Sequence, residues 1–147
     1  MIHVKIANPH ELVALDYGKL RETASVVLEG EGVAEAKISL AFVDNSTIHR
    51  LNKQFLNHDE PTDVLSFPMS GPKAKCLEGE LVIGVEVAKA QAEERGHEVG
   101  AELGLYVIHG LLHLCGYDDD ENDRKEMRGR ERHYLHALGF PDIAEST

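Results

Sequence analysis

His109 and His113 stand four residues apart in the run His109-Gly110-Leu111-Leu112-His113-Leu114-Cys115-Gly116-Tyr117-Asp118-Asp119. On a helix, that spacing stacks two imidazoles on one face, one turn apart, where they can share a metal ion. Gly116 falls where a left-handed cap would end the helix and fold the chain back towards the histidines. Asp118, Asp119 and Asp120 follow, and each offers a third ligand. Two imidazoles, a carboxylate and one open position make a catalytic rather than a structural zinc site. The pattern predicts a metal-dependent hydrolase holding one divalent ion, with Zn2+ the first choice.

Bland readings compete with this one. A single histidine in an apolar helix is ordinarily a satisfied core residue, but two of them interrupting one helix at ligand spacing tip the balance to metal. The acids at 118–123 also suit the first turn of a following helix, where the backbone dipole favours negative charge. The offsets His-x3-His-x5-Asp match the ligand spacing of metzincin proteases, which singles out Asp119 as third ligand. Position 110 is glycine, however, where those enzymes carry the glutamate that activates water. A metallopeptidase is therefore the weaker reading. Weaker still is a two-histidine, one-carboxylate iron oxygenase, whose ligands come from well-separated sheet positions. Cys115, two residues beyond His113, turns away from the ligand face and reads as packing. His3, His10, His49 and His97 read as scattered surface residues, and His133 and His136 fall on the last helix.

The elements that must position this helix follow from periodicity. Residues 2–7 alternate as a first strand, and Asn8-Pro9 reads as the start of a first helix that carries Val13, Tyr17, Leu20, Ala24, Val27 and Leu28. Residues 36–43 form a second strand with Ile38, Leu40 and Phe42 on one face. Residues 44–46 cap a short helix burying Ile48, Leu51 and Phe55. Residues 62–67 and 79–85 read as third and fourth strands, joined by a loop at 70–75. Three helices close the chain: 86–95, then 99–115, apolar almost all round and hence buried, then 121–138 burying Met127, Tyr134, Leu135 and Leu138. The expected fold is α+β or α/β, with a small mixed four-stranded sheet packed with helices and a zincin-like metal helix. Strands three and four pair antiparallel, and the first crossovers are parallel.

The 147 residues suit one domain, 1–147. A formal net charge of −11 argues against a globally basic nucleic-acid binder and leaves room for a local basic patch. No apolar run reaches membrane-spanning length, and the first residues enter a strand pattern without a signal-peptide layout. The two cysteines, Cys76 and Cys115, read as reduced thiols of a cytoplasmic protein.

Beyond the metal run, the segment Pro61-Thr62-Asp63-Val64-Leu65-Ser66-Phe67-Pro68, the pair Gly79-Glu80 and the upstream Leu51-Asn52 resemble the YbeY family. The resemblance runs from about residue 38 to about residue 139. It implies a bacterial, metal-dependent, single-strand-specific endoribonuclease acting in ribosomal RNA maturation (the small-subunit 3′ end) and ribosome quality control. It implies His109, His113 and Asp119 as metal ligands, and single-stranded or ribosomal RNA, with ribosomal proteins, as partners. The 61–68 segment would line the cleft, making Asp63, Ser66 and neighbouring His58 the candidates for a catalytic role beside a metal-bound water. Two positions depart from the family pattern. Asp119 stands where the motif ends in histidine, and a carboxylate oxygen remains an acceptable zinc ligand. Leu56 stands where the family places an arginine, and leucine binds no phosphate. Arg50, Lys53 and His58 are the nearby cationic candidates to compensate. Those departures also define an alternative, a non-catalytic ribosome-assembly factor that keeps the fold and the metal site.

Overall fold

Alternation along 36–43 puts Ala36, Ile38, Leu40 and Phe42 on one face of a strand, which is buried in the main core, and Lys37, Ser39, Ala41 and Val43 on the other. The computed structural model describes residues 1–71 and 74–144. Along the chain run β1 (Ile2–Ala7), α1 (Tyr17–Gly30), β2 (Ala36–Val43), α2 (Asn45–Leu56), β3 (Val64–Pro68), β4 (Leu77–Gly84), α3 (Val85–Arg95), α4 (Val99–Leu114) and α5 (Glu121–Ala137). The strands form one mixed sheet in the order β1-β2-β4-β3. β1, β2 and β4 are mutually parallel, while β3 runs antiparallel to β4 with Leu65 opposite Val82. This is the mixed four-stranded α+β arrangement that the sequence predicts, and β3 is an edge strand.

On one face of the sheet, Ile38, Leu40, Phe42, Leu81 and Ile83 join the main core with residues of α1, α3, α4 and α5. On the other, Val43, Leu65 and Val82 close over Ile48 of α2 in a smaller cluster. Each fully buried side chain of this size contributes roughly 1.5–3 kcal/mol. α4 is the axis of the larger core: twelve of its sixteen residues are buried. Beyond its first two residues, only His109 and His113 escape burial. A Cβ at Gly110 would come within 2.8 Å of a Leu81 methyl and 3.2 Å of a Val64 methyl. The glycine therefore lets α4 lie directly on β3 and β4.

Some expectations need correction. The first helix starts at Tyr17, not at Asn8-Pro9; Asp16 is its N-cap and accepts from the Lys19 N–H at 3.0 Å. Asn8 instead closes a local turn, its side-chain amide donating to the Val13 carbonyl at 3.3 Å. Tyr17 is 44% exposed rather than core. Phe55, expected inside, is 56% exposed and meets Phe67 edge-to-face at the sheet margin. His97 is no surface residue; its ring lies 2.7 Å from the buried Glu102 carboxylate. Pro68 ends β3 from within, paired with Gly79. Pro72 and Lys73 of the predicted loop lie outside the described residues. Among the described residues, no helix is long and apolar enough to cross a membrane.

Candidate metal centre

α4 ends in a reversal whose backbone hydrogen bonds are those of a Schellman motif. The Gly116 N–H donates to the His113 carbonyl at 3.0 Å and the Tyr117 N–H to the Leu112 carbonyl at 3.2 Å. Gly116 has φ of 112°, a backbone conformation that L side chains rarely adopt. The reversal brings the Tyr117 carbonyl to 2.8 Å from His113 Nδ1. From α5, Glu131 Oε2 lies 3.3 Å from His109 Nδ1. Both Nδ1 atoms thus face acceptors and carry their protons there, which leaves both Nε2 lone pairs for a shared space. Those two Nε2 atoms are 3.1 Å apart. Two lone pairs at that separation repel unless a proton or a cation lies between them. Tetrahedral zinc, with Zn–N near 2.05 Å, sets its nitrogens about 3.3 Å apart, so the pair fits such an ion. Asp119 Oδ1 lies 3.5 Å from His113 Nε2, on the same side.

Burial works against a charge on His109, but the Glu131 carboxylate, with Asp63 and Asp119, outweighs it and raises the imidazole above its ordinary value. The site therefore attracts positive charge, whether a proton or a metal. Asp119 is the loosest member, with its side chain 83% exposed. Asp118, Asp120 and Asp123 form a second carboxylate group, oxygens within 4.8 Å of one another. Two of these carboxylates have structural duties. Asp120 caps α5 through the Asp123 N–H at 2.9 Å, and Asp123 accepts from the Asp118 N–H at 2.7 Å. The histidine pair, with its lone pairs facing each other, is the better-built cation site.

The turn and α5 are tied together through Glu31, at the end of α1. Its carboxylate accepts from Tyr117 Oη at 2.8 Å, from Arg130 Nε and Nη2 at 3.0 and 2.8 Å, and from the Tyr134 hydroxyl. Burial alone would raise the Glu31 pKa; the Tyr134, Arg130 and Tyr117 donors outweigh it and hold it below the ordinary carboxylate value. Burial and the Glu31 charge push both tyrosines up to about 12. Tyr117 supplies the carbonyl that orients His113, and Arg130 adjoins the Glu131 that orients His109. Glu31 thereby ties the turn that orients His113 to α5, the helix that carries Glu131. Cys115 packs against the core, and burial pushes its thiol up to about 11, in keeping with a packing role.

A cleft of about 640 Å³ opens beside the pair, between β3's approach and α3, α4 and α5. His109, Asp119 and Asp63 line it. Asp63 Oδ1 accepts from the Val64 N–H at 2.7 Å, which fixes the carboxylate at the strand entry. Ser66 does not line the cleft; its hydroxyl donates to the Gly110 carbonyl at 3.3 Å and ties β3 to α4. His58 and Leu56 are exposed and lie outside the lining, as do Arg50 and Lys53. Lys53 faces Asp59 at 4.0 Å, and Asp59 also meets His49 at 2.7 Å. Sequence reasoning missed Glu131. Its signal was a glutamate four residues after Met127 on the buried face of the last helix, where a lone carboxylate needs a partner. It also missed the cleft arginines, Arg95, Arg124 and Arg128.

With the site in view, its relatives are informative. A family model described as Endoribonuclease YbeY matches residues 5–139. An Endoribonuclease YbeY of Pelotomaculum thermopropionicum is 41% identical over 148 aligned positions, covering 93% of this chain and 97% of its own. One from Bacillus mycoides is 39% identical, covering 88% of each chain. The solution structure of TM1509 from Thermotoga maritima superposes with a TM-score of 0.65 at 28% identity, covering 94% of this chain and 89% of its own. The match spans the sheet, the 61–68 segment, the histidine helix and α5 alike: this chain belongs to the YbeY endoribonuclease family.

Proposed function

We propose that this chain is a metal-dependent endoribonuclease that cuts single-stranded RNA, working in ribosomal RNA maturation at the small-subunit 3′ end and in ribosome quality control. The observation that carries the reading is the pair of imidazole Nε2 atoms 3.1 Å apart, each ring oriented through its Nδ1, at the edge of an open cleft. His109, His113 and Asp119 would hold one divalent ion, Zn2+ on the chemistry of two imidazoles and a carboxylate. When bound, such an ion supplies Lewis acidity for a phosphoryl oxygen and acidifies water. The residues around it do the rest. Glu131 and the Tyr117 carbonyl keep both Nδ1 protons in place and so leave both Nε2 lone pairs to the ion. Asp63 shares the cleft with His109; with Oδ1 taken by the Val64 N–H, its Oδ2 is the atom to accept a proton from the attacking hydroxyl. Tyr106, whose phenol burial, Glu102 and Asp63 keep protonated, stays a neutral donor on the cleft wall. A metallopeptidase reading is further weakened by packing, since Gly110 faces Leu81 and Val64 and its position leaves no room for a glutamate.

The test is cleavage of labelled RNA by the purified chain. Single-stranded RNA is cut, duplex RNA and casein are not, chelation stops the reaction and His113→Ala abolishes it. No cleavage by metal-loaded wild type would overturn the enzyme reading in favour of a non-catalytic assembly factor.

A further inference from the structure

An acidic chain that grips RNA needs a local source of positive charge, and Leu56 at the exposed end of α2 does not provide it. The chain has seven arginines, three of which line the cleft; among the described residues, no lysine does. Arg95 is held in the wall by the buried Glu102 carboxylate and the Ile143 carbonyl, both at 3.3 Å. Arg124 and Arg128 sit one turn apart on α5, on the face that also presents Met127 and Glu131 to the cleft. That face runs alongside His109 and Asp119.

We propose that Arg124 and Arg128 form a phosphate track that holds the backbone of single-stranded RNA against the histidine pair, supplying from α5 the anion contact that Leu56 cannot. This rests on the endoribonuclease reading above. Guanidinium groups bind phosphate oxygens bidentately, so two of them one turn apart fix the strand's direction as well as its charge. The cleft's formal charge agrees. With the Glu102 that holds Arg95 counted, four carboxylates (Asp63, Glu102, Asp119 and Glu131) face three arginines, so a divalent ion between the histidines brings the cleft to one net positive charge on a chain of net charge −11. A second groove, at the β1 edge, carries Lys5, Arg21 and Lys37 but also Glu78, and it lacks the histidine pair. It is the rival surface.

Fluorescence anisotropy with a short 2′-O-methyl RNA, titrated across salt concentrations on the metal-loaded chain, decides between them. Arg124→Gln and Arg128→Gln should each weaken binding about tenfold. Each should also lower the slope of log affinity against log salt by about 0.7, the release expected from one phosphate contact on a single strand. In cleavage assays the loss should fall on KM with kcat little changed. Arg124→Lys and Arg128→Lys should restore the salt slope, and Lys37→Gln should alter neither quantity; bound metal should be the same throughout. Unchanged affinity and slope in the glutamine variants, with wild type binding normally, would overturn the track, as would a slope loss confined to Lys5→Gln and Lys37→Gln. If metal-loaded wild type neither binds nor cuts RNA, the endoribonuclease reading itself fails and the track falls with it.

Discussion

Replacing Glu131 by glutamine removes one charge and almost no volume, and it isolates what this buried carboxylate does for the histidine pair. The side chain is 8% exposed and its Oε2 lies 3.3 Å from His109 Nδ1. Outer partners of metal-bound histidines change metal affinity by about 10- to 100-fold when removed. The contact here is longer than the roughly 2.7–2.9 Å of a strong charge-assisted bond, and glutamine keeps a carbonyl for the Nδ1 proton. The loss should therefore sit at the low end, about tenfold or about 1.4 kcal/mol. Competition against a chromophoric chelator measures the zinc affinity. NMR of the metal-free chain follows the His109 ring, whose pKa should drop towards the ordinary imidazole value once the raising carboxylate is gone. Because glutamine also removes the cost of burying a charge, the melting temperature should hold or rise while metal affinity falls. A zinc affinity within twofold of wild type, or an unmoved His109 titration, would refute the idea that Glu131 orients and polarises this ligand.

Other perturbations separate the remaining parts of the account. Gly110→Glu would force a carboxylate against Leu81 and Val64; urea unfolding should show a loss of at least about 3 kcal/mol, and no peptidase activity should appear. Glu31→Gln should destabilise the chain at neutral pH by about 1.5–3 kcal/mol, the worth of its hydrogen bonds to a charged group. Since the folded-state pKa of Glu31 is depressed, its contribution is present above the ordinary value of about 4.3 and is lost as pH falls through the folded value. Stability curves of wild type and Glu31→Gln should accordingly converge on acidification, and parallel curves would contradict the network. Asp120→Ala should cost about 1 kcal/mol as a lost N-cap of α5, with bound metal unaltered.

The sheet and the histidine helix were readable in advance because they rest on repeating patterns. Alternation placed Ile38, Leu40 and Phe42, and the apolar wrap of residues 99–115 marked α4 as the core axis. The start of α1 was misplaced because Asn8-Pro9 and Asp16 carry equal local capping chemistry, and only packing selects the second. Phe55 follows the apolar spacing of α2 but lies in its last turn, exposed, against Phe67 of the edge strand β3. At the site, the His-x3-His spacing and Gly116 were local signals and produced the facing imidazoles. Glu31 and Glu131 act from other helices, at sequence distances that no spacing rule reaches. Of the candidates Asp63, Ser66 and His58, Asp63 alone lines the cleft: Ser66 turns onto the Gly110 carbonyl of α4, and His58 is exposed outside the lining.

Metal stoichiometry tests the central claim most directly. Elemental analysis of chains purified after zinc loading should find one ion per wild-type chain, the same in Asp118→Ala and Asp120→Ala, a reduced content in Asp119→Ala and almost none in His113→Ala. Full metal in His113→Ala, or a loss confined to the Asp118, Asp120 and Asp123 group, would contradict the account and move the ion to the acidic turn.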